Sequence, residues 1–150
     1  MAAYAVKHMA QEHGPLTGIL KVVRKAPYSY TSKEPEASQA AFGGDIYVIE
    51  VRDETKRNRS YWLGYKYRAY EKHMRAGGAL WPGDFKFKNA GRPVTIAEGS
   101  YFEAPVEITD PLLNEWLRGK PPAMTEIPAH LVVALESVLG NPEHGAKAFD

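Results

Sequence analysis

Two hydrophobic rhythms run along this chain. A period of two governs its middle, and a period near 3.6 governs its end. Residues 45–52 (Asp-Ile-Tyr-Val-Ile-Glu-Val-Arg) and 60–70 (Ser-Tyr-Trp-Leu-Gly-Tyr-Lys-Tyr-Arg-Ala-Tyr) are rich in β-branched and aromatic side chains. Between them lies the polar stretch 53–59. Two such runs around a polar connection predict an antiparallel hairpin. Strict alternation along the second strand assigns its faces. Tyr61, Leu63, Tyr65, Tyr67 and Ala69 fall on a core face, and Trp62, Gly64, Lys66, Arg68 and Tyr70 on a wet one.

The other elements follow from local signals. Alanine-rich residues 2–13 predict a short helix, closed by Gly14-Pro15. Residues 17–26 predict a strand and 27–44 a loop. Glu71–Ala76 predicts a helical turn stopped by Gly77-Gly78, and Trp81-Pro82-Gly83-Asp84 a turn. Residues 84–88 alternate apolar and basic as a short strand. Residues 93–97 and 100–108 predict a final strand pair. Asp110 suits an N-cap, with Pro111 at the first helical position and Gly119 past the end. The last helix starts near Pro128 and ends at Gly140, with Ile127, Leu131, Val132, Leu135, Val138 and Leu139 on one stripe. That stripe must pack on the sheet or on a second copy of the chain, so a homo-oligomer is compatible. The tail after Asn141-Pro142 carries no such pattern and is expected to be loosely held.

The order of elements is that of an α+β domain. The expected architecture is a curved antiparallel sheet or small β-barrel of about six strands, flanked by an N-terminal helix and two C-terminal helices. A length of 150 residues suits a single domain spanning 1–150. Cysteine is absent, which excludes disulfides and thiolate metal sites. There is no apolar run of membrane-spanning length and no signal-peptide pattern at the N-terminus, so a cytoplasmic protein without membrane contact is expected.

Charge changes the picture most. Formal net charge is +1, but its distribution is uneven. Residues 1–51 balance. Residues 52–92 carry eleven cations against Asp53, Glu54, Glu71 and Asp84, a net of +7. Residues 93–150 carry Arg118, Lys120 and Lys147 against nine acids, a net of −6. The basic segment also holds eight of the seventeen aromatic residues, between positions 61 and 87. Cations neutralise phosphates, and exposed aromatic rings stack bases. The leading expectation is therefore a non-enzymatic domain that contacts single-stranded RNA or DNA through Lys56, Arg57, Arg59, Trp62, Lys66, Arg68, Tyr70, Lys72 and Arg75. In the competing structural account, the tyrosines are core and the cations pair with the acidic C-terminal third.

Two other functions compete. The acidic third suits a protein-binding inhibitor or adaptor, analogous to the anti-defence proteins of phages and plasmids. A metal-independent ribonuclease would need a base, an acid and a cation, which His73, Tyr70, Arg68 and Arg75 supply in principle. Metal chemistry has little support. His8, His13, His73, His130 and His144 fit no ligand spacing. Asp45 with Glu50-Val51-Arg52 only faintly echoes a nuclease strand, and Arg52 stands where a lysine would tune water. No catalytic residue, metal or cofactor is assigned.

Overall fold

The computed structural model describes residues 3–13, 15–16, 29–30, 44–55, 58–68, 71–74, 80–86, 99–119 and 125–148. Its strands, in chain order, are β1 (Ala3–Met9), β2 (Ser29–Tyr30), β3 (Asp45–Thr55), β4 (Asn58–Arg68), β5 (Glu71–Met74), β6 (Leu80–Lys86), β7 (Gly99–Glu107), β8 (Thr125–Glu126) and β9 (Lys147–Ala148). The helices are α1 (Ala10–His13), α2 (Pro111–Arg118) and α3 (Ala129–Gly140), with a 3₁₀ turn at Pro142–His144. Six strands form one sheet in the order β8-β1-β3-β4-β7-β9, and three form another in the order β2-β6-β5.

The class is α+β, with α2 and α3 after β7 as expected, but with the two-residue β8 between them and β9 after α3. The six-stranded sheet is open, not a closed barrel, and it is mixed, because β1 runs parallel to β3. The predicted N-terminal helix is a strand, with only Ala10–His13 helical. Alanine favours a helix in isolation, but a weak propensity yields to tertiary packing. Ala3 and Ala5 lie on the face that meets the helices, where small side chains let α3 approach, while Tyr4 and Val6 bury into the opposite face.

β3 lies between β1 and β4, and Ile46–Val51 are buried on both faces. One face packs Tyr47, Ile49, Val51, Tyr61, Leu63 and Phe102 against Leu113 and Leu117 of α2 and Leu131, Leu135 and Leu139 of α3. The stripe on α3 is thus core within this chain. The opposite face buries Tyr4, Val6, Ile46, Val48, Glu50, Tyr65 and Tyr67.

The hairpin exists, with two corrections. Its strands run further than predicted: Asp53 pairs with Arg59 and Thr55 with Asn58. And the alternation breaks at Gly64. Ile49 pairs with Leu63 and Val48 with Tyr65, leaving Gly64 as the extra residue of a β-bulge. One inserted residue reverses the facing of everything after it. Tyr65 and Tyr67 therefore face away from the helices, and Lys66 and Arg68 face toward them. A Cβ on Gly64 would stand 2.5 Å from Leu16 Cδ1, so glycine is what lets Leu16 seat there.

The remaining expectations divide. Glu71–Met74 and Trp81–Asp84 are strand rather than helical turn and turn. Pro82 falls in an irregular stretch of β6 between the Lys72–Phe85 and Met74–Leu80 pairs, the kind of position where a strand tolerates proline. Asp110 caps α2, its carboxylate accepting from Leu113 N at 2.9 Å. The tail is docked. β9 pairs with β7, His144 Nδ1 contacts Val138 O at 2.8 Å, and Lys147 pairs with Glu103. The predicted strands 17–26 and 93–97 lie outside the described residues, as does the predicted loop apart from 29–30 and 44. No helix among the described residues is long and apolar enough to cross a membrane.

Two substitutions test this packing. Leu135→Ala should cost about 2–5 kcal/mol in urea unfolding, since a buried leucine leaves a cavity. Gly64→Ala should cost about 1–3 kcal/mol through overpacking against Leu16. A neutral Gly64→Ala would mean that the bulge is placed elsewhere.

Candidate nucleic-acid interface

The bulge divides the predicted binding residues into two groups. Beyond it, Lys66 is only 5% exposed. Its ammonium donates to Glu136 Oε1 of α3 at 2.6 Å and lies 3.7 Å from Asp45 Oδ2. Arg68 Nε donates to Asp45 Oδ1 at 3.1 Å. Tyr47 completes the group by donating its hydroxyl to Glu136, with the Lys66 ammonium 5.5 Å from its ring centre. A buried cation is tolerated only when paired and hydrogen-bonded, and this one is. Lys66 and Arg68 are therefore not on a wet face. They join the sheet to α3.

The same cluster shifts its own acids. Burial raises the Tyr47 phenol far above its usual pKa, and its hydrogen bond to Glu136 adds to the effect. Burial also pushes the Glu136 carboxyl up, but hydrogen bonds from Lys66 and Tyr47, with the lysine charge, outweigh it and leave the pKa lowered.

Before the bulge, toward the hairpin tip, the side chains are more open. Arg59 is exposed and pairs with Asp53 at 3.0 Å. Trp62 is half-buried, with its indole N–H donating to Ser60 Oγ at 2.8 Å. The Arg52 guanidinium lies 3.9 Å from the Trp62 ring centre. Fully buried Glu50 holds it there. One Glu50 oxygen accepts from Arg52 Nε at 2.8 Å, and the other from the Leu16 backbone N–H at 2.7 Å. The result is a tryptophan–guanidinium stack fixed from beneath. Arg52 was not among the predicted site residues. The register could have found it, since Arg52 opposes Ser60 and Glu50 opposes Trp62 on one face.

Lys56, Arg57, Tyr70 and Arg75 lie outside the described residues. Lys72 belongs to β5, where it opposes Phe85. His73 is on the same strand, so the ribonuclease set loses Arg68 to Asp45 and keeps only residues whose side chains are not described. Asp45 and Glu50 cannot share a metal: five positions apart on one strand, they point to opposite faces. Among the described residues no group of three histidines or carboxylates gathers.

Beside the tip, on the helix face, a polar groove of about 480 Å³ opens between the start of β4, the end of β7 with the segment after it, and α2. It is lined by Arg59, Ser60, Tyr61, Glu107, Ile108, Thr109, Pro111, Asn114, Glu115 and Arg118. Ile108 N donates to Tyr61 O at 2.8 Å, and Asn114 Nδ2 to Ile108 O at 2.8 Å, which fixes α2 against the sheet. Arg118 belongs to the net acidic third of the chain, so charge counting hid it.

No protein-family model matches the chain, and no curated protein is significantly similar to it.

The Glu136 cluster makes stability depend on acid. A lowered folded-state pKa means that the contribution is present above the unfolded value and lost as pH falls through the folded one. Urea unfolding at neutral pH and at about pH 3 should therefore show a smaller acid loss for Glu136→Gln than for the wild type. Equal losses would remove Glu136 from the balance. The carboxylate is half-exposed, so solvent screening keeps the difference modest.

Proposed function

We propose that the chain binds single-stranded nucleic acid at the tip end of its central hairpin. The observation that carries this reading is the Arg52–Trp62 stack at 3.9 Å, held by buried Glu50, with the exposed Arg59 on the other face of the same strand end. A guanidinium plane on an indole is a surface on which an unpaired base can stack. Arg59 and the tip residues Lys56 and Arg57 supply charge for the backbone. Tyr70, Lys72 and Arg75 belong to the reading on sequence grounds. Lys66 and Arg68 contribute little to it, because Asp45 and Glu136 already engage them. The partner is a nucleic acid and the contact is non-enzymatic.

A second reading, a protein-binding inhibitor or adaptor, draws on the helical layer. Leu112 of α2 and Val133 of α3 are 63% and 65% exposed, large apolar side chains turned to solvent.

Fluorescence anisotropy with mixed-sequence single-stranded RNA and DNA at two salt concentrations tests the first reading. Arg57→Ala combined with Arg59→Ala should weaken binding across sequences and flatten the salt dependence by about two ion contacts. Trp62→Ala should cost about 1–3 kcal/mol with little change in salt slope. Failure of the wild type to bind either polymer at low salt and micromolar protein would overturn the reading and favour the protein partner.

A further inference from the structure

The polar groove beside the hairpin shares Arg59 with the nucleic-acid reading and adds groups that this reading does not use. Tyr61 lines it and is 1% exposed, yet its hydroxyl has no hydrogen-bond partner among the described residues. A buried hydroxyl left unmatched costs about 1–3 kcal/mol, so structures seldom leave one without a reason. Two guanidiniums line the same groove. Arg59 extends from β4, and Arg118 from the last turn of α2. Lys7 Nζ lies 5.6 Å from the Tyr61 ring centre, held by the Leu117 carbonyl. Cations therefore approach one phenol from β1, β4 and α2.

We propose that this groove is an oxyanion site that takes a phosphate group between Arg59, Arg118 and the Tyr61 hydroxyl. Two guanidiniums offer forked donors matched to phosphate oxygens, and a phenol O–H supplies a neutral donor beneath them. Both arginine charges act on the phenol and hold down the rise that burial imposes on it, while Asp53 adds to that rise. Glu107 and Glu115 also line the groove. An anion in the groove therefore meets both signs of charge, and its binding depends on direct contact with the two guanidiniums. A groove of this volume accommodates a small phosphorylated molecule or one nucleotide of a strand.

Isothermal titration calorimetry with inorganic phosphate, at constant ionic strength, tests the site without any strand. The wild type should bind in the millimolar range or tighter. Tyr61→Phe removes only the hydroxyl and should weaken binding by roughly ten- to hundredfold, the worth of one hydrogen bond to a charged group. Arg118→Gln should weaken it by at least about tenfold. Ser137→Ala, whose hydroxyl bonds Val133 O on α3 away from the groove, should leave it unchanged. Tyr61→Phe should also melt no lower than the wild type, because the hydroxyl it deletes satisfies nothing in the fold. No saturable phosphate binding, or equal binding by Tyr61→Phe and Arg118→Gln, would overturn the proposal. So would a lower melting temperature for Tyr61→Phe, since the hydroxyl would then have a structural partner. Competition identifies the source of the phosphate. Displacement by oligothymidylate with free 5′-hydroxyl ends points to a strand backbone, and displacement by adenosine monophosphate alone to a free phosphorylated ligand. Because phosphate is titrated alone, the outcome does not depend on whether a base stacks on Trp62.

Discussion

One extra residue in β4 decides which charges this molecule can offer to a partner. At Gly64 the strand bulges, and the side chains after it exchange faces. Without the bulge, Lys66 and Arg68 would share a face with Trp62 and form a continuous basic, aromatic strip. With it, they turn toward α3 and meet Asp45 and Glu136. Tyr65 and Tyr67 turn the other way and bury in the opposite face. Glycine at the bulge in turn leaves room for Leu16, whose Cδ1 lies 2.5 Å from where a Cβ would stand.

The electrostatic asymmetry of the sequence is thereby partly resolved inside the fold. Lys66 of the basic segment pairs with Glu136 of the acidic third, and Arg59 and Arg68 pair with aspartates of β3. A net positive segment need not present a positive surface. Among the described residues, what stays accessible lies toward the hairpin tip, where Arg52 covers Trp62 on one face and Arg59 borders the groove on the other. Glu50 shows how such a surface is held. A fully buried carboxylate is costly unless satisfied, and its two oxygens accept from Arg52 and from the Leu16 backbone. Leu16, which seats against Gly64, therefore also steadies the stack over Trp62 through its backbone N–H.

The parts of this architecture that were legible in the sequence are local ones. The alternation of β3 and β4, the Asp110 cap with Pro111, and the 131-135-139 spacing of leucines each depend on neighbouring residues, and each predicts its element. The illegible parts depend on residues far apart in the chain. Ala3–Met9 reads as helix until β3 is available to pair with it. Gly64 reads as one more alternating position until Leu16 is seen against it. Lys66 and Arg68, two of the nine predicted binding residues, were misplaced for that one reason. Arg118 was hidden because charge was summed along the chain, whereas the groove collects it in space with Arg59 and Tyr61.

The central claim is that the accessible chemistry lies on the tip side of the bulge. The indole N–H of Trp62, donated to Ser60, reports on that side, and the Lys66 ammonium on the other. Nuclear magnetic resonance of both groups during titration with mixed-sequence single-stranded RNA separates the two regions. The Trp62 signal should shift in a saturable way while the Lys66 signal stays where it is. A shift at Lys66 with Trp62 unmoved would contradict the account, because the strand would then contact the face that the bulge turns inward.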